Sequence, residues 1–144
     1  MHITGIVTCV DYMPYLEDQL DMWKCTLDNL LVITNVRDGN TQDICKKFEV
    51  NCLITDKFYE NNALFNKGAA INEGFEKLNK ESELDWVLFF DADIIPPSNW
   101  RMFILKGIVD HRNLYGCKRI NSEGKDIYDE DIAGFFHLFN VKSP

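Results

Sequence analysis

Apolar residues recur along this chain with a period that switches between two and about 3.6, and each switch marks an element. Residues 3–10 (ITGIVTCV) form a short β-branched run closed by a turn over 11–14, which predicts a strand. Leu16, Leu20, Trp23 and Leu27 then recur at spacings of four, three and four, the apolar stripe of a helix laid on a sheet. Residues 30–36 (LLVITNV) predict a second strand, and Asp38-Gly39 signals a turn. Asn40 or Thr41 is then placed to cap a helix that turns Ile44, Cys45 and Phe48 inward. A third strand is expected over 50–55, followed by a polar loop. Leu64, Gly68, Ile71, Phe75 and Leu78 carry the strongest helical period in the chain, and the small residues Gly68, Ala69 and Ala70 would let a backbone or ligand come close. The five apolar residues 86–90 are too few for an ordinary helix and suit a strand covered on both faces. Ser98 is expected to cap a further helix bearing Trp100, Phe103, Ile104 and Ile108. Residues 114–120 and 132–140 are strand-like and joined by the turn-rich NSEGKDIYDED without a helix.

The resulting βαβαβαβα alternation predicts an α/β fold with three layers, α/β/α, and a mostly parallel central sheet. At 144 residues the chain is expected to be one domain, 1–144, with no linker or repeat. Composition changes this picture little, but charge narrows it. A net charge of −8 argues against nonspecific nucleic-acid binding, which needs a basic face. A nucleotide stays possible, because a metal supplies positive charge locally. The five widely spaced cysteines read as reduced core residues. The amino terminus lacks a signal-peptide pattern, and no apolar run approaches the roughly 20 residues that span a bilayer. The expectation is a cytoplasmic protein without a transmembrane segment.

The chemistry gathers at strand ends. The 86–90 strand finishes in Asp91, Ala92 and Asp93, and the Ile-Ile-Pro-Pro that follows resists continuing the ladder. Two acids at the dry carboxyl edge of a buried strand repel unless a cation or proton intervenes, and a divalent metal is the simplest remedy. An acidic turn after a core strand is the plainer alternative. Thr8, Cys9, Val10 and Asp11 after the first strand, Asp38 to Thr41 after the second, and Asn66 with Lys67 at a helix start all fall on the same predicted edge. Backbone groups after the first strand and the acid after the second are suited to reading a base, and Lys67 with the metal to holding a diphosphate. Taken singly, Asp38-Gly39 is a turn and Lys67 a solvated helix residue.

The order of these segments resembles the GT-A class of nucleotide-sugar-dependent glycosyltransferases. VTCVDYMPYLEDQL is similar to the first nucleotide-binding strand and helix of that class, and VITNVRDGNT to the second strand with its uracil-reading acid, here Asp38. FNKGAAINEGF followed by WVLFFDADIIP resembles the paired segments of family-two enzymes and animal galactosyltransferases, while LYGCKRI and IAGFFHLF look like later strands around the sugar pocket. The likeness covers nearly the whole chain. It implies a minimal GT-A domain that takes a nucleoside-diphosphate sugar, a UDP-sugar above all, together with Mn²⁺ or Mg²⁺, and transfers a hexose to an acceptor the sequence does not name. By that resemblance Lys67 contacts phosphate or ribose, Asp91 faces ribose and metal, and Asp93 binds metal. Members usually continue well beyond the GFF-type strand, supplying a catalytic base, a third metal ligand and acceptor contacts, whereas this sequence ends at Pro144. A complete donor site is therefore expected, with the base unassigned. Asp129, Glu130 and Asp131 are candidates for it beside the plainer reading of a solvated loop, and His137 is a candidate third ligand beside that of an ordinary strand histidine. Two rivals remain. One is a donor-binding module that transfers poorly alone. The other is an aspartyl phosphotransferase of the haloacid dehalogenase class, against which stand Ile94 and Ile95 after the motif and the three strand units before it.

Overall fold

Among the described residues, six strands form one sheet in the order β3-β2-β1-β4-β6-β5. The computed structural model describes residues 1–81, 84–107, 110, 112–116 and 136–142. In chain order the elements are β1 (Ile3–Thr8), α1 (Met13–Thr26), β2 (Asn29–Thr34), α2 (Gly39–Lys47), β3 (Asn51–Ile54), a 3₁₀ segment (Lys57–Asn62), α3 (Lys67–Glu81), β4 (Trp86–Asp91), α4 (Trp100–Gly107), β5 (Tyr115–Gly116) and β6 (Phe136–Asn140). β1 pairs in parallel with both β2 and β4, and β2 with β3. β6 runs antiparallel to β4, and β5 antiparallel to β6.

The alternation of side chains along each strand divides the interior into two cores. On one face Trp86, Leu88 and Phe90 of β4 meet Leu16, Leu20 and Trp23 of α1 and Trp100 of α4, with Ile44 and Cys45 of α2 in the same cluster. Trp23 is fully buried, its ring 4.0 Å from that of Phe90. On the other face Val87, Ile6, Leu31 and Ile33 pack with Ala70 of α3 and Phe58 of the 3₁₀ segment. The sheet thus lies between two helical layers, the α/β/α architecture expected. Close approach of α3 to the sheet rests on Gly74, where a Cβ would come 2.5 Å from Ile33 Cδ1. At Gly68 a Cβ would meet only Asn66 Oδ1 at 3.7 Å, so the close contact expected near Gly68 falls two turns later.

Several boundaries differ from the sequence expectation, each for a local reason. α3 begins at Lys67 because Asn66 accepts a hydrogen bond from the Ala69 N–H (3.0 Å), and Leu64, assigned to the helical stripe, is 97% exposed. Asp38, not Asn40 or Thr41, caps α2. Leu27 lies one residue past α1, still buried. α4 buries Trp100 but exposes Phe103. The loop expected after β3 contains the 3₁₀ segment. Cys9 and Cys45 are buried free thiols and Cys52 is half-buried, but Cys25 is exposed and so is not a core residue. Ile108 and all of 117–135, Cys117 included, lie outside the described residues. Among the described residues no helix is long and apolar enough to cross a membrane.

Candidate functional site

The chain order reverses at β1: β2 and β3 lie to one side of it and β4 to the other, so the crevice at the carboxyl ends of β1 and β4 is a topological switch point. Register brings the strand ends level, with Thr8 opposite both Ile33 and Asp91. The loops after β1, β2 and β4 therefore open on one edge, and α3 points its amino-terminal end toward it.

Asp38 ties two of those loops together. Its Oδ2 accepts from the Asp11 N–H (2.9 Å), Thr34 Oγ1 (3.1 Å) and Thr41 Oγ1 (2.6 Å), and Oδ1 accepts from the Thr41 N–H (3.1 Å). Asp11 reaches this carboxylate through a left-handed backbone (φ 59°), a conformation that aspartate tolerates better than most residues. Asp38 is only 4% exposed. Burial alone would raise its pKa, but the bonds from Thr41, Asp11 and Thr34 outweigh burial and hold the carboxyl below its usual range. Beside it Asn35 is fixed at both ends of its amide, donating to the Thr55 carbonyl (3.2 Å) and accepting from the Arg37 N–H (3.0 Å).

Among the described residues, a cleft of about 440 Å³ opens on this edge beside Asn35, Arg37, Thr55 and Tyr59, and two smaller ones hold the acids singled out in the sequence. One of the smaller pair, of about 260 Å³, is lined by Val10, Asp11, Asn35, Arg37, Asp38 and Tyr59. The other, of about 250 Å³, is lined by Thr8, Val10, Tyr12, Phe65, Asp91, Ala92 and Asp93. Val10 borders both. An aromatic wall joins them on the opposite side, with Tyr59 edge-on to Phe65 at 6.0 Å and Phe65 stacked on the buried Phe58 at 5.3 Å. Lys67, the first residue of α3, forms an ion pair with Asp91. Asp93, two residues on, is exposed.

Of the residues singled out in the sequence, Thr8, Val10, Asp11, Asp38, Asp91, Ala92 and Asp93 line these clefts, and Lys67 joins them through Asp91. Cys9 and Asn66 do not line either cleft. Cys9 is turned into the core, its N–H bonded to the Ile33 carbonyl (2.9 Å), its thiol 3.4 Å from Thr41 Oγ1 and pushed up to about 11 chiefly by burial. Asn66 is occupied in capping α3. His137 lies opposite Phe89, one strand over and two residues back from Asp91, and among the described residues no three His, Cys, Asp or Glu side chains gather as a metal-ligand group. Asp129, Glu130 and Asp131 lie outside the described residues. Tyr12, Asn35, Arg37, Tyr59 and Phe65 also line the clefts and are not among the residues singled out in the sequence. Asn35 and Arg37 were accessible from their position between a strand end and Asp38; the aromatics sit in a stretch without period.

Asp91 and Asp93 both border the same cleft, an arrangement from which a divalent metal could draw two protein ligands. Both supply hard carboxylate oxygens, and Mn²⁺ or Mg²⁺ bound through two carboxylates completes its shell with phosphate oxygens and water.

A mostly parallel sheet reversing at β1, an antiparallel strand beside β4 and helices on both faces define the GT-A fold. No family model and no curated protein matches the sequence. Among solved structures, glucosyl-3-phosphoglycerate synthase from Mycobacterium tuberculosis in complex with UDP is similar at a TM-score of 0.59 and 15% identity, over 82% of this chain and 45% of that one. The same synthase with Mn²⁺, UDP and phosphoglyceric acid gives 0.58 and 15%, over 78% and 41%. A 4-diphosphocytidyl-2C-methyl-D-erythritol synthase gives 0.65 and 16%, over 96% and 74%. The chain thus spans less than half the length of the glucosyl-3-phosphoglycerate synthase structures, and at these identities the likeness is one of fold.

Proposed function

We propose that the chain binds a nucleoside-diphosphate sugar, with uridine as the preferred base and Mn²⁺ or Mg²⁺ as the cation, and serves glycosyl transfer to an acceptor. The observation that carries this reading is the convergence of Thr8, Asp11, Asp38, Lys67, Asp91 and Asp93, from four separate segments, on two clefts that share Val10. The base belongs in the cleft bordered by Asp38 and Tyr59. Three donors already crowd Asp38 Oδ2, but Oδ1 accepts only one, so it retains capacity for the N3–H of uracil. The ribose and diphosphate then run past Val10 toward Asp91, where the Lys67 ammonium meets phosphate. Asp93, exposed at the rim, and Asp91 would hold the metal, whose chemistry is to offset negative charge on the departing diphosphate. No described residue is assigned as the base that activates the acceptor.

The expected result is tighter binding of UDP than of CDP in calorimetry with Mn²⁺ present, because cytosine offers an acceptor where uracil offers a donor. Equal affinities would remove Asp38 from base reading, and absence of UDP binding would remove the donor site. Release of UDP from UDP-sugars, with and without candidate acceptors, separates a transferase from a donor-binding module. A nucleotidyltransferase is a second reading, supported by the likeness that spans 96% of this chain. Against it, the residues between β1 and α1 are Cys9, Val10, Asp11 and Tyr12, with no glycine-rich loop to cradle a triphosphate. Pyrophosphate release from nucleoside triphosphates would favour that reading.

A further inference from the structure

We propose that Lys67 is a built-in competitor for the cation at Asp91, so that a divalent metal binds firmly only once a nucleotide diphosphate has drawn Lys67 away. This rests on the nucleotide–metal reading of the same site and adds an order of events to it. The Lys67 ammonium is paired directly with the Asp91 carboxylate, the group that a metal would use. Its position is otherwise unfavourable: it is the first residue of α3, at the positive end of the helix dipole, where cations are repelled and carboxylates preferred. A lysine there needs an anion in front of it, and Asp91 is that anion.

The backbone around the pair is held, so exchange falls to the side chain. Asn66 caps α3 and donates its own N–H to the Phe58 carbonyl (2.6 Å), which fixes the start of the helix. On the other partner, the Ile94 N–H bonds the Asp91 carbonyl (3.1 Å) and closes the turn that presents Asp93. The two side chains are 20% and 31% exposed, shielded enough for the attraction to matter and open enough for an incoming ion to reach them. A divalent cation on Asp91 would set two positive charges beside the ammonium, an arrangement that favours expulsion of one of them. A diphosphate resolves the conflict, since it offers Lys67 a more highly charged partner and leaves Asp91 to the metal. Lys67 therefore acts as a positioning residue that exchanges the Asp91 carboxylate for phosphate when the nucleotide arrives.

The test is the affinity for Mn²⁺ alone, followed by electron paramagnetic resonance of free Mn²⁺, in the wild type, Lys67→Gln and Lys67→Arg. Lys67→Gln should bind Mn²⁺ without nucleotide about tenfold more tightly than the wild type, a size usual for coupled sites. The factor by which UDP improves Mn²⁺ affinity should shrink correspondingly. Lys67→Arg keeps the competing charge and should stay close to the wild type. Asp91→Asn added to Lys67→Gln should erase the gain. Measurable but equal Mn²⁺ affinity in the wild type and Lys67→Gln would overturn the exchange and leave the metal site standing. Failure of every protein to bind Mn²⁺, with or without UDP, would overturn both.

Discussion

A single buried carboxylate can set the shape of a cleft, and Asp38 does so here. Its four donors come from β2, α2 and the turn after β1, so it fixes the geometry of the cleft it lines. Because these bonds favour the charged form, its folded pKa lies below the unfolded value of about 3.9. The stability it contributes is therefore present above that value and lost as pH falls through the folded pKa. Asp38→Asn presents an amide N–H or a weaker acceptor to donors already in place, and should cost about 1.5–3 kcal/mol at pH 7, the scale of hydrogen bonds to a charged group. Urea unfolding should find that gap narrowing as pH falls below the unfolded value and through the folded pKa, where the wild-type carboxyl also loses its charge. A gap unchanged with pH would mean that the charged form is not what holds the loops. Position after a strand marked this acid in the sequence; its role as a cap did not stand out, because Asn40 and Thr41 offer equally plausible caps within the next three residues.

Elements with one or both faces buried were the most legible. β4 was recognisable as a central strand because Trp86, Leu88 and Phe90 feed one core while Val87 feeds the other, leaving an unbroken apolar run. α1 was equally clear, since Leu16, Leu20 and Trp23 must all meet the sheet. Trp23 is the test of that packing: with Phe90, Trp100 and Phe136 against its ring, Trp23→Ala should cost about 3–5 kcal/mol in chemical denaturation. A loss below 1 kcal/mol would mean that the face can repack around a cavity. Helix boundaries were less legible. The four-three spacing at Leu64 continues across the Asn66 cap, and only capping chemistry, not period, sets the start of α3 at Lys67. The end of the sheet at β5 and β6 carries antiparallel pairing, an orientation that the strand-like pattern of 114–120 and 132–140 does not itself specify.

At the scale of the molecule, the edge that gathers the polar residues follows from topology. Parallel strands β1, β2 and β4 carry their carboxyl ends to the same side, so acids that finish separate strands become neighbours. This much can be read from element order. The aromatic wall cannot, because Tyr59 and Phe65 belong to a stretch without regular period, and neither can the pairing of Lys67 with Asp91, 24 residues apart, which depends on how α3 crosses back to β4. The central claim is that nucleotide and metal meet at Asp91 and Asp93, each relieving the repulsion that opposes the other. Calorimetric titration of UDP with and without Mn²⁺, in the wild type and in Asp93→Asn, tests it most directly. The wild type should bind UDP more tightly with Mn²⁺, and Asp93→Asn should lose that gain while unfolding, metal-free, at no lower temperature than the wild type. A wild-type affinity for UDP that does not respond to Mn²⁺ would contradict the claim.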